Sequence, residues 1–132
     1  MDTDFVAIIS DVDRHGRSIA LTYGVLRAAF RDSLEHPEPV TPGKTYELHI
    51  EISDLAYAFL PGHRVRLCVS SSLFPFFHPH PNTERYADEP HPIEATQTVH
   101  RGPNTASRMI VHQVAGPALG SLSLSAISVD RE

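Results

Sequence analysis

The segment DFVAIISDVDRHGRSIALTYG, residues 4–24, contains two β-favouring runs on either side of a turn. The first run, residues 4–12, is rich in Val, Ile and Phe. The second run, residues 18–24, alternates and places on one face Ile19, Leu21 and Tyr23. Such alternation is typical of a half-buried strand. Between the runs, Gly16 can adopt a positive φ. The segment therefore predicts a β-hairpin.

Similar short runs continue along the chain, separated by turns that use many of its 11 prolines and seven glycines. Further strands are predicted over 25–33, 45–53, 64–70, 94–100 and 107–114. The first of these also fits helical spacing, but it is short and has no N-cap, so a strand is preferred. The run 45–53 alternates most strictly, with inward positions at Tyr46, Leu48, Ile50 and Ile52. The whole pattern predicts an all-β sandwich or barrel.

Composition limits the class of protein. A chain of 132 residues predicts one domain over 1–132, in which 115–132 form an extra strand or a mobile tail. A net charge of -5 argues against a nucleic-acid-binding surface. The single cysteine, Cys68, indicates a reducing compartment and is predicted to be a structural thiol. Without a long apolar run or a signal peptide, a soluble cytoplasmic protein is expected.

Several blocks of the sequence resemble one known family. Residues 2–33, which begin DTDF, resemble a characteristic segment of the C-terminal domain of the X-prolyl dipeptidyl-peptidase and cocaine-esterase family of serine hydrolases. Four blocks continue the resemblance in the same order: PGKTYELHIEI (42–52), FLPGHRVRLCVSSSLFPFF (59–77), PNT (81–83) and ATQTVH (95–100). The resemblance extends over about residues 2–114, and several blocks in one order make it specific.

The resemblance implies a jelly-roll, galactose-binding-like β-sandwich packed against a separate α/β-hydrolase domain that carries the Ser-Asp-His machinery. It also implies that the first strands of the sandwich are missing here. We therefore expect residues 5–9 to lie at or near an uncovered sheet region. The expected partner is a second copy in a dimer or other homo-oligomer, or a separate hydrolase domain.

The predicted function is accordingly that of a non-catalytic domain that packs on or completes a hydrolase, or assembles with itself. No catalytic residue, cofactor-binding residue or metal ligand is assigned. The only near match to a nucleophile elbow is Gly16-Arg17-Ser18-Ile19-Ala20. An elbow needs a strand-to-helix turn, whereas Ser18 here leads from a turn into a strand. A hairpin is the preferred interpretation.

A metal site is the first alternative, and it depends on the segment HPHPNTE. His78, His80 and Glu84 have the spacing with which cupins, also jelly rolls, present metal ligands. His91 or His100 could add another nitrogen. Against this, the neighbouring prolines remove backbone donors from the strand that should hold the ligands. A solvated, proline-rich loop is therefore preferred.

A carbohydrate-binding jelly roll is the second alternative, because Phe74, Phe76 and Phe77 could line a pocket. Sugar-binding platforms favour Trp and Tyr, and this chain has no Trp and four Tyr. The three rings are more simply explained as anchors that hold the loop to the sandwich or to a hydrolase domain.

Overall fold

The computed structural model describes residues 1–85, 89–101 and 107–112. These residues contain three strands and one short 3-10 helix: β1 (Asp4–Val12), β2 (Ser18–Arg27), the helix Ala28–Phe30 and β3 (Arg64–Ser70). The strand order in the sheet is β2-β1-β3, and both pairings are antiparallel. The described chain is thus strand-rich with almost no helix, which confirms the all-β prediction, although the sandwich is partial.

The structure divides into two compact units. The first comprises Met1–Pro42 and Leu48–Ala95, and it contains the whole sheet. The second comprises Gly43–Glu47 and the chain from Thr96 onward. Within the second unit, the ammonium group of Lys44 lies 4.9 Å from the centre of the Tyr46 ring. The predicted extra strand or tail, 115–132, lies outside the described residues.

β1 is the central strand of the sheet, which corrects the expectation of an uncovered region at residues 5–9. Strands pair with it on both edges, and Phe5 and Val6 are only 2% and 1% exposed. Charges would be costly on a strand buried on both faces, and none lies between Asp4 and Asp11. The apolar run therefore reflects burial in the centre of the sheet rather than an exposed edge.

The hairpin is confirmed, and its turn is closed by the Asp13 side chain. Oδ1 of Asp13 accepts hydrogen bonds from the backbone N–H groups of His15 and Arg17, at 2.8 and 2.9 Å. Gly16 adopts a φ of 84°, which a glycine reaches without steric cost.

A β-bulge changes the phase of β2. The register shifts between Ile9 and Ser10, so β2 passes from Thr22 to Ala20 in its pairing with β1. As a result, Ile19 does not share a face with Tyr23, and Ile19 is 65% exposed. The predicted common face of Ile19, Leu21 and Tyr23 is wrong for this reason.

The strand predicted over 25–33 is correct only as far as Arg27. The chain then turns into the 3-10 helix because polar groups near the N-terminus capture its backbone donors. The N–H of Ala28 donates to the carbonyl of Thr3 at 2.9 Å, and the N–H of Ala29 donates to Oδ1 of Asp2 at 2.8 Å. These hydrogen bonds to a distant segment satisfy backbone N–H groups that would otherwise continue the pairing of β2.

β3 has the bounds that the sequence predicts, Arg64–Ser70, with Val65, Leu67 and Val69 half-buried. Residues 45–53 form no regular strand, although their burial alternates as predicted. Within the first unit, this segment makes isolated bonds to β2: the N–H of Ser53 donates to Tyr23 O at 3.2 Å, and the Thr22 hydroxyl donates to Ser53 O at 2.9 Å. The described parts of 94–100 and 107–114 form no regular strand either. Within the described ranges, no helix is long and apolar enough to cross a bilayer.

Candidate functional site

The loop after β3 presents aromatic rings on a tight turn. The N–H of Phe77 donates to the carbonyl of Leu73 at 3.0 Å, which closes the turn around a cis Phe74-Pro75 peptide. The ring centres of Phe76 and Phe77 lie 6.1 and 6.0 Å from that of Tyr23 on β2, and the Phe77 contact is edge-to-face. The loop is therefore anchored to the sheet through its phenylalanines.

Anchoring leaves much of this aromatic area in solvent. Phe74 and Phe76 are 70% and 71% exposed, and Phe77 is 39% exposed. We refer to Tyr23, Phe74, Phe76 and Phe77 as the aromatic surface. Exposed apolar patches on a small domain mark places where another surface binds.

The residues of the metal hypothesis do not converge. The His78 ring lies beside Phe74, with centres 6.5 Å apart. The His80 side chain is only 1% exposed, and Glu84 forms an exposed ion pair with the amino group of Met1 at 3.0 Å. Within the ranges that the structure describes, no three His, Cys, Asp or Glu side chains are grouped as metal ligands.

His80 instead belongs to a buried polar cluster around the start of β1. Its Nδ1 accepts a hydrogen bond from the N–H of Asn82 at 2.9 Å, so the neutral ring carries its proton on Nε2, which lies 3.5 Å from Oδ2 of Asp2. Burial lowers the pKa of the His80 imidazole, and this outweighs the opposite effect of the nearby Asp4 and Asp2 carboxylates. The predicted solvated loop is thus wrong at His80.

Arg27 and Asn82 complete this cluster. Nε of Arg27 lies 3.1 Å from Asp4 and 3.8 Å from Asp2. Asn82 adopts a φ of 62°, accepts a hydrogen bond from the Thr3 hydroxyl at 2.8 Å and donates to the carbonyl of Ile93 at 2.7 Å. The cluster joins the N-terminal segment, the end of β2 and the loop after β3.

A second cluster joins β1 to the segment before β3. Oδ2 of Asp11 accepts a hydrogen bond from the Tyr57 hydroxyl at 2.8 Å and lies 2.8 Å from Nδ1 of His63. The hydrogen bond to Asp11, together with burial and the charge of Asp11, raises the pKa of the Tyr57 phenol. An Asp-His pair also occurs in hydrolases, where the histidine activates a serine hydroxyl. The candidate nucleophile, Ser18, is instead the exposed first residue of β2 and pairs with Val12.

Sequence reasoning did not single out Asp2, Asp11, Arg27, His63 or Asn82. The DTD triplet before an apolar run is the one local signal, because acidic residues next to a buried strand need partners. The partners themselves come from distant parts of the chain. Cys68 lies on β3, as expected, but its side chain is exposed.

Comparison with known proteins agrees with this architecture. Residues 1–110 match the family described as the X-Pro dipeptidyl-peptidase C-terminal non-catalytic domain. The chain is 37% identical over 114 residues to a cocaine esterase from a Rhodococcus species, an alignment that covers 84% of this chain and 20% of the relative.

Two mycobacterial proteins provisionally named as serine esterases, from Mycobacterium bovis and Mycobacterium tuberculosis, are each 28% identical over 88 residues. These alignments cover 54% of this chain and 14% of each relative. The chain therefore spans a fifth or less of the length of these relatives. It belongs to the X-Pro dipeptidyl-peptidase family, as a C-terminal non-catalytic domain.

Proposed function

We propose that this chain is the β-sandwich component of a serine esterase, where it packs on an α/β-hydrolase domain and stabilises it. The main support is the alignment with the Rhodococcus cocaine esterase, in which this chain corresponds to one-fifth of a longer protein that is named as an esterase. The remaining four-fifths of such a relative offers a surface on which the sandwich can pack.

The chemistry of the described residues agrees with a structural role. Arg27 forms ion pairs with Asp4 and Asp2, and Asp11 is hydrogen-bonded to Tyr57 and His63. Among the described residues, Phe74 and Phe76 are 70% and 71% exposed on the same loop, and exposed aromatic area grouped in this way favours a domain that is covered by another.

Self-association is the alternative form of assembly. Self-association was expected because residues 5–9 were predicted to lie in an uncovered part of the sheet. That reason does not apply, because β1 is the central strand. The hydrolase partner is therefore preferred. We also propose a cytoplasmic location, since an exposed thiol such as Cys68 suits a reducing compartment.

A chimera tests the proposed function. This chain replaces the matching 114-residue segment of the Rhodococcus cocaine esterase, and hydrolysis of a p-nitrophenyl ester is measured. A chimera that folds and retains esterase activity supports the proposal. A chimera that is purified as a folded protein but has lost its activity, or that never yields a folded hydrolase, contradicts it.

A further inference from the structure

We propose that the aromatic surface is the face through which this domain docks on its hydrolase partner, with Phe74 and Phe76 as anchors. This assignment depends on the proposed function and adds to it the contact that joins the two domains. The partner surface that fits is an apolar depression with acidic residues at its rim.

The turn that carries the anchors is held in place before any partner binds. The backbone bond between Phe77 and Leu73 closes it, and Tyr23 supports two of its rings from below. A preorganised aromatic side chain loses little conformational entropy on binding, and aromatic residues dominate the energetics of interfaces. Phe76 is thus exposed and supported by Tyr23, and Phe74 is exposed on the same closed turn, beside the His78 ring.

The sheet face that contains Tyr23 also carries two exposed arginines. Ile8 pairs with Tyr23 on one side and with Cys68 on the other, so these residues share one face of the sheet. Alternation along β3 places Arg64 and Arg66 on the same face, and both are exposed. A docking partner that extends from the rings across this face of the sheet therefore meets two guanidinium groups, which acidic side chains would complement.

This charge distribution favours a hydrolase domain over a second copy. A two-fold interface buries the same patch of each copy, so it would place the guanidinium groups of both copies at one interface. Like charges at an interface disfavour that pairing. A hydrolase surface with acidic groups at its rim would not place like charges opposite these arginines.

The test introduces Phe74→Ser and Phe76→Ser together into the full chain and into the esterase chimera. Leu34→Ser with Leu60→Ser is the matched control, because both leucines are highly exposed, at 84% and 61%, and lie outside the aromatic surface. In the free chain, the leucine control should leave the melting temperature nearly unchanged. The phenylalanine variant should lower it only slightly, because Phe77 still packs on Tyr23. In the chimera, the phenylalanine variant should shorten the half-life of activity on heating by roughly tenfold or more, while the leucine control should not.

A further variant of the chimera carries Arg66→Glu. It should also shorten the half-life of activity on heating, because a carboxylate at this position would repel an acidic rim. If the unmodified chimera is active and the phenylalanine variant has the same half-life on heating, the proposed docking face is wrong while the proposed function stands. If the unmodified chimera fails, both are wrong. If the free chain forms a dimer that the phenylalanine variant abolishes, the surface binds a second copy and the hydrolase assignment is overturned.

Discussion

Asp4 and Arg27 face each other across the β1–β2 pairing, and Nε of Arg27 lies 3.1 Å from Oδ1 of Asp4. The carboxylate side chain is 9% exposed and that of arginine 28%. Asp2 lies near the same guanidinium group, 3.8 Å away. One arginine thus serves two buried carboxylates where the hairpin meets the N-terminal segment.

Replacing Arg27 with Met should lower the free energy of unfolding by roughly 2 kcal/mol, because two buried carboxylates lose their cation while the arginine is partly solvated. Urea denaturation measures the change. Adding Asp4→Asn should recover part of the loss, since it removes one of the uncompensated charges. Arg17→Met, at an arginine side chain that is 79% exposed, is the control and should have little effect. If the effects of Arg27→Met and Asp4→Asn on the free energy of unfolding were fully additive in the double variant, the coupling of these two side chains would be contradicted.

Protonation of His80 should destabilise the fold. Burial lowers the pKa of this imidazole below its usual 6.5, so the unfolded chain binds the proton more readily than the folded chain. The contribution to stability is complete above the unfolded pKa and is lost as the pH falls through the folded pKa.

The melting temperature of the unmodified chain should therefore fall between about pH 7 and about pH 5, and His80→Gln should reduce that dependence. His78→Gln, at an exposed position, is the matched control and should keep it. Equal pH profiles for His80→Gln and the unmodified chain would show that His80 does not carry this effect.

Gly24→Ala should be strongly destabilising, because the added methyl group would collide with the carbonyl oxygen of Glu51 and lie 3.1 Å from Cγ2 of Ile50. Moving that backbone would disrupt the bonds between Ser53 and β2. We expect a loss of about 2 kcal/mol by urea denaturation. Gly16→Ala is the comparison. A Cβ atom added there would have no atom within 4 Å, and only the φ of 84° would be strained for an alanine. It should cost about 1 kcal/mol. If Gly16→Ala proved more destabilising than Gly24→Ala, the close approach of Glu51 to Gly24 would be contradicted.

The full chain without a partner should not hydrolyse p-nitrophenyl esters or X-Pro p-nitroanilides above the rate of a heat-treated sample. The reason is geometric, since Ser18 begins a strand and not a nucleophile elbow. Ser18→Ala is the informative variant. Turnover that this variant abolishes would mean that the hairpin contains a nucleophile after all.

Local patterns were enough to locate β1 and β3. The bounds of β1 and β3 agree with the prediction, because apolar, β-branched residues in short runs between turn residues have few alternatives. The turn at Asp13 and Gly16 was also predictable, since its bonds connect neighbours in the sequence. The resemblance of several ordered sequence blocks also indicated the family from the sequence alone.

Long-range contacts explain the errors. The bulge in β2 depends on pairing with β1, and the end of β2 depends on hydrogen bonds that Ala28 and Ala29 donate to Thr3 and Asp2. The burial of His80 depends on Asn82 and Asp2 and cannot be derived from a segment whose prolines and histidines indicate a solvated loop. Residues 45–53 alternate as a strand does, yet alternation alone cannot show whether a neighbouring strand completes the ladder.

Composition, turn chemistry and periodicity therefore established an all-β chain and its hairpin, and the resemblance of several ordered sequence blocks indicated its family. The position of β1 in the centre of the sheet, the pairing of Arg27 with two carboxylates and the exposure of Phe74 and Phe76 were visible only in the folded chain. The physical reason is the range of the interactions. Backbone preferences and alternation act over a few residues, whereas burial and charge pairing depend on segments that are distant in sequence and meet only on folding.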